Sequence, residues 1–132
     1  MSEPVRLSGH HALVCGASKG IGRATAEALA GLGMELTVLA RSSDLLDEAV
    51  GDLLSRGARA VQPLVADLDD RPGLVEALDA HLDAHGTIRV LVNNTGGPPP
   101  GRLLDATEDE LLTAFGRHLL ASHALVQRVL PG

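Results

Sequence analysis

The residues HALVC (His11–Cys15) run straight into the turn GASKGIG (Gly16–Gly22), which opens a stretch with helical spacing. A strand that ends in closely spaced glycines leading into a helix leaves few options. The turn must be tight, its backbone must lie bare, and the first N–H groups of the helix must point out of it. Such a unit is a seat for an anion, because bare peptide N–H groups and the positive end of the helix dipole converge there. No Gly-Lys-Ser/Thr follows at the required spacing, which excludes a P-loop. The plainer alternative is a glycine turn kept only for packing. The strand before it and the helix after it weigh against that.

The alternation continues along the chain. The spacing predicts a helix from about Ile21 to Leu32, stopped by Gly33, then a strand ELTVLA (Glu35–Ala40). A helix from about Ser43 to Arg56 ends at Gly57, and AVQPLV (Ala60–Val65) is a third strand, with Pro63 marking it as an edge strand. Asp69 or Asp70 caps a helix reaching His85, with Pro72 near its start and Gly86 past its end. IRVLV (Ile88–Val92) is a fourth strand, followed by a rigid loop, NNTGGPPPG. Thr107 opens the last helix, Glu110 completes a capping box, and the helix runs to about Leu130. Residues 1–9 read as a lead-in. Fully apolar strands alternating with helices imply a parallel sheet with helices on both faces. The expected fold is one α/β domain over residues 1–132, a Rossmann-type doubly wound sheet with strand order 3-2-1-4. The later strands of that pattern lie outside these residues.

Composition narrows the partners. The chain is 45% hydrophobic but only 1% aromatic, so its core must be Leu, Val, Ile and Ala. A net charge of -6 argues against nucleic acid or an anionic membrane as partner, though local donors can still hold a small anion. Cys15 is the single cysteine, so no intrachain disulfide forms and a cytoplasmic location is expected. No segment approaches the roughly 20 apolar residues of a membrane span. The N-terminus has no apolar signal region.

Four short motifs stand at the ends of the four expected strands: CGASKGIG (Cys15–Gly22), ARS (Ala40–Ser42), ADL (Ala66–Leu68) and NNTG (Asn93–Gly96). Their residues and intervals resemble the short-chain dehydrogenase/reductase family, and most of all its 3-oxoacyl-acyl carrier protein reductase branch. Cys15 stands where the family has Thr, and Thr95 where it has Ala. The C-terminal edge of an open α/β sheet is where such folds bind ligands. The resemblance implies a nicotinamide dinucleotide whose diphosphate sits on Gly16, Ala17, Ser18, Lys19, Gly20, Ile21 and Gly22. It also places Asp67 and Leu68 at the adenine, and Asn93, Asn94, Thr95 and Gly96 along the ribose and nicotinamide. The plainer readings are a strand-end cap for Asp67 and a backbone brace for Asn93.

An acidic residue ending the second strand would bind the ribose hydroxyl and repel a 2′-phosphate. Here Ala40 is followed by Arg41, Ser42 and Ser43, with Lys19 in the glycine turn. Two cations and no carboxylate select NADP(H) over NAD(H). Otherwise Arg41 and Lys19 are solvated surface charges.

The family's proton donor is the Tyr of a YxxxK pair, helped by a Ser. This sequence contains no Tyr, and its one Lys is Lys19. No catalytic residue can therefore be assigned with certainty. His118 occupies the position of the family's helical Asn, where a histidine can hold a water in a proton relay or can simply be a half-buried helix residue. His81 and His85 are spaced i,i+4, but with no third ligand and no HExxH a metal site is not expected. His10 and His11 are expected to have no chemical role, and Cys15 to be a small buried residue.

The last helix carries Leu111, Leu112, Phe115, Leu119, Leu120, Leu125, Val126, Val129 and Leu130, more than one apolar stripe. The excess face implies a homo-oligomer through this helix, or a longer parent chain. The expected function is an NADP(H)-dependent oxidoreductase acting on a carbonyl or secondary alcohol, with a small carbonyl substrate in the parent. These residues would be its cofactor-binding portion, inactive alone. The alternatives are a non-catalytic NADP(H)-binding or oligomerisation module, and a fragment that folds only with a partner chain.

Overall fold

A strand that is apolar on both faces must be covered on both. β1 (His11–Cys15) is buried along its whole length. It pairs in parallel with β2 (Glu35–Ala40) on one side and β4 (Val90–Val92) on the other. β3 (Ala60–Val65) adds to β2, giving the parallel order β3-β2-β1-β4. The computed structural model describes residues 6–96 and 100–131. The lead-in residues 1–5, residues 97–99 of the Gly/Pro loop and Gly132 lie outside them.

Alternation of side chains along the strands divides the core in two. Ala12, Val14, Leu36 and Val38 face α1 (Gly20–Gly31) and α2 (Ser43–Ser55), packing with Ala26, Ala30, Leu46 and Leu53. Leu13, Cys15, Leu39 and Leu64 face the opposite layer, meeting Leu74 and Leu78 of α3 (Arg71–His85) and Leu125 of α5 (Ala121–Val129). The expected doubly wound architecture and strand order are therefore present. Pro63 lies on the edge strand, where its missing N–H costs no internal ladder bond. Of the two candidate caps for α3, Asp70 is the one used, accepting from the Gly73 N–H at 3.2 Å. Thr107 and Glu110 form the capping box of α4 (Glu108–Phe115).

Two elements differ from expectation. β4 is shorter than Ile88–Val92. Ile88 is apolar because it is buried in the α3/α5 layer, ahead of the ladder, where only the Arg89 N–H still reaches the His11 carbonyl, at 2.9 Å. The last helix covers the expected residues but is not regularly α-helical throughout. A π-helical turn, Gly116–Leu120, separates α4 from α5, and a short 3-10 turn, Leu103–Asp105, precedes both. Hydrophobic periodicity does not register a single widened turn. The surplus apolar face divides between core and surface: Leu125 and Val129 are buried, whereas Leu112, Phe115 and Leu119 are more than half exposed, at 59%, 52% and 54%. Among the described residues, no helix is long and apolar enough to cross a membrane.

Candidate functional site

A parallel sheet aligns the C-terminal ends of all its strands along one edge. Here that edge opens into a crevice of about 330 Å³, to which each strand-end loop contributes: Ser18 and Lys19 after β1, Arg41 after β2, Asp67 after β3, and Thr95 after β4. The floor is bare backbone. Gly16 adopts φ +62°, and a Cβ there would stand 2.6 Å from the Asn94 Nδ2. The first turn of α1 folds beneath it, so closely that a Cβ on Gly22 would lie 2.1 Å from the Gly16 carbonyl oxygen. Asn94 ties β4 to this turn, its Nδ2 donating to the Cys15 carbonyl at 3.4 Å.

The start of α1 differs from that of its neighbours. Side chains cap α2 (Ser42), α3 (Asp70) and α4 (Thr107), whereas no side chain caps α1 at Lys19, and its first turn carries no acidic residue. The leading N–H groups of a helix have no intrahelical acceptor. At α1 they and the helix dipole's positive end are left facing the crevice. Lys19 and Arg41 add full charges to the same crevice, and Ala40, ending β2, adds no carboxylate. Donors, cations and a backbone floor without side chains fit a dinucleotide that carries a diphosphate and a ribose phosphate.

Most of the residues singled out from sequence meet here. Gly16, Ser18, Lys19 and Ile21 line the crevice on the α1 side, Arg41 beside β2, Asp67 and Leu68 beyond β3, and Asn94, Thr95 and Gly96 beyond β4. Five stand behind it. Ala17 is buried in the α1/α2 core, Gly20 begins α1, and Gly22 supports Gly16 from below. The Ser42 hydroxyl is spent on the cap of α2, accepting from the Leu45 N–H at 3.3 Å. Asn93 borders an adjoining shallow hollow with His118 and Ser122, which shares Asn94 and Thr95 with the crevice. Asp67 accepts from the Asp69 N–H at 2.9 Å, so it also braces its own loop.

Sequence reasoning missed Arg117. It lines the crevice and donates from Nε and Nη2 to the two carboxylate oxygens of Asp69, at 2.9 and 2.6 Å. The guanidinium holds the Asp69 carboxyl below the usual carboxylate range. Arg117 sits on the π turn, and the next residue, His118, hydrogen-bonds through Nδ1 to the Thr95 hydroxyl. The available signal was Gly116, a glycine inside a helical pattern. A Cβ there would come 2.8 Å from the Arg71 Nη1.

The remaining candidates lie elsewhere or are inert. The His81 and His85 rings are 4.4 Å apart, but His81 Nε2 is committed to the Thr37 hydroxyl at 2.8 Å. That hydroxyl in turn pairs with His11 Nε2 at 2.7 Å, so His11 has a structural role. Among the described residues, no group of three metal-ligating side chains forms. Burial pushes the His81 pKa down to about 4 and the Cys15 thiol up to about 12, which leaves Cys15 inert as a nucleophile.

The sequence model of the family described as short chain dehydrogenase matches residues 10–132. The chain is 45% identical over 93 residues, 68% of its length, to a 3-oxoacyl-acyl carrier protein reductase of Synechocystis, covering 36% of that protein. It is 33% identical over 131 residues, 96% of its length, to an NADP-dependent 3-hydroxy acid dehydrogenase of Schizosaccharomyces pombe, covering 49% of it. Its fold is similar to that of L-sorbose reductase from Gluconobacter frateurii, solved with NADPH and L-sorbose. The TM-score is 0.86 at 28% identity, over 95% of this chain and 48% of that one. The chain thus spans about half the length, or less, of the curated relatives it matches.

Proposed function

This chain belongs to the short-chain dehydrogenase/reductase family, and from that premise we propose that it binds NADP(H) as the cofactor-holding portion of an oxidoreductase acting on a carbonyl or secondary alcohol. The observation that carries the proposal is the start of α1, uncapped and free of acidic residues, above a floor that only Gly16 and Gly22 can form, with Lys19 and Arg41 beside it. The diphosphate sits on the α1 N-terminus. Arg41 and Lys19 take the 2′-phosphate at the end of β2, the position that distinguishes the two nicotinamide cofactors. The base, joined to that ribose, extends toward Asp67 and Leu68 beyond β3, and the nicotinamide end lies toward Asn94, Thr95 and Gly96. The substrate class is supported by the similarity to a 3-oxoacyl reductase and a 3-hydroxy acid dehydrogenase.

NADPH, when bound, supplies a hydride to the carbonyl carbon, and the oxygen then needs a proton. Thr95 holds His118 on the β4 side, where a histidine can orient a water for that transfer. The sequence contains no Tyr and its one Lys is Lys19, so the family's proton-donating pair is not within these residues. These residues by themselves are therefore expected to bind NADP(H) without turnover; the second reading is a non-catalytic NADP(H)-binding or oligomerisation module. A homo-oligomer through the exposed leucines of α4 and the π turn and a cytoplasmic location complete the proposal. Titration with NADPH and NADH tests binding, and NADPH oxidation with a 3-oxoacyl thioester tests catalysis. The expected result is binding that favours NADPH, with no turnover. Turnover would overturn the non-catalytic reading, and absent binding would overturn both.

A further inference from the structure

Arg117 presents an unusual surface to the crevice. Its Nε and Nη2 edges are both occupied by Asp69, so its charge is already paired. What remains is the flat face of the guanidinium and Nη1, which lies 3.8 Å from where a Cβ on Gly96 would stand. The group therefore spans from the loop after β3 to the loop after β4, along one wall of the crevice. A side-on bidentate pair fixes the plane of a guanidinium, and guanidinium planes stack on aromatic rings. A cation without an anionic partner would suit a phosphate; one already neutralised and held flat suits a π-face.

We propose that Arg117 is a base-binding residue of this chain, its guanidinium face packing against the adenine ring, with Asp69 as the positioning residue that fixes its plane. The inference rests on the nucleotide-binding reading, which places the base on the β3 side, where Asp67, Leu68 and Arg117 meet. The π turn supports it independently. The widened turn carries Arg117 toward the β3 loop and His118 toward the β4 loop, so consecutive side chains brace two different strand ends. Such turns are frequent at functional sites.

Calorimetric titration of the folded protein with NADPH, 2′,5′-ADP, AMP and nicotinamide mononucleotide tests this, with circular dichroism to verify the fold of each variant. Arg117→Val is expected to weaken NADPH, 2′,5′-ADP and AMP alike, by about fivefold to thirtyfold, and to leave nicotinamide mononucleotide unchanged. Arg117→Lys keeps the charge but loses the plane, so it is expected to behave like Arg117→Val. Asp69→Asn is expected to weaken the same three ligands by a smaller factor, with Arg117 still present. Loss confined to 2′,5′-ADP and NADPH, or rescue by Lys, would overturn the inference by making Arg117 a phosphate ligand. Equal binding by Arg117→Val and the unaltered protein would overturn it alone. A protein that binds none of these nucleotides would overturn the nucleotide reading beneath it as well.

Discussion

A Cβ on Gly22 would stand 2.1 Å from the carbonyl oxygen of Gly16. The first atom would belong to the first turn of α1 and the second belongs to the tight turn directly after β1, where Gly16 is held at φ +62°, so neither can yield without moving the strand-to-helix connection. Gly22→Ala is expected to destabilise the fold by about 1–3 kcal/mol and, by displacing the α1 N-terminus, to weaken NADPH by about tenfold or more. Urea denaturation and calorimetry measure the two effects. An alanine variant with unaltered stability and binding would show that the close approach is not required.

Arg41 follows Ala40 at the end of β2 and lines the same crevice as Lys19. Arg41→Asp replaces a cation facing the 2′-phosphate with a carboxylate suited to a free ribose hydroxyl. NADPH affinity is expected to fall about tenfold to a hundredfold, while NADH binding holds or improves. Parallel titrations measure the ratio. An unchanged ratio would assign Arg41 to the solvated surface.

At the opposite end of the sheet, one hydroxyl proton links two rings. Thr37 can donate to only one of His11 and His81, so the chain of bonds requires one ring nitrogen to donate and the other to accept. Burial, reinforced by the neighbouring His85 and opposed by Glu35, pushes His81 down to about 4, and burial lowers His11 as well. Below the ordinary histidine pKa of 6.5, the unfolded chain takes up protons that the folded chain refuses. Stability is therefore full above pH 6.5 and is lost as pH falls toward 4, by at most about 3 kcal/mol from His81. Urea midpoints measured across that range check the loss. His81→Leu is expected to flatten the slope between pH 6.5 and 4, and an identical slope would remove His81 from the account.

Leu112, Phe115 and Leu119 expose apolar surface on α4 and the π turn. Contiguous apolar patches of this kind mark association surfaces. Sedimentation velocity is expected to show concentration-dependent association, abolished by Leu112→Glu with Phe115→Glu. A monomer at all concentrations would contradict it.

Much of this is legible in the sequence. HALVC reads as a buried strand because a parallel sheet covered on both faces tolerates almost no polar residue, ELTVLA and AVQPLV read as strands from their apolar runs, and Pro63 places the only partly buried β3 at the edge for want of an N–H. The crevice could be read because its parts sit at strand ends, where a few consecutive residues carry the whole signal. Arg117 and Asp69 could not be, since they are joined across 48 positions by no spacing rule. The π turn was hidden for a related reason: periodicity averages over a window, and Gly116 marks its position only by being a glycine within a helix. Ala17 and Ser42 belong to the motifs that carry the family resemblance, while their side chains are engaged in a core contact and a helix cap.

The central claim is that the uncapped start of α1, over its glycine floor, holds the diphosphate of a nicotinamide dinucleotide. Calorimetric titration of the folded protein with NADPH at low and high salt tests it most directly. The account predicts saturable binding to a single site, weakened by salt and stronger than that of NADH. A flat titration with a protein whose circular dichroism is that of a folded α/β domain would contradict it.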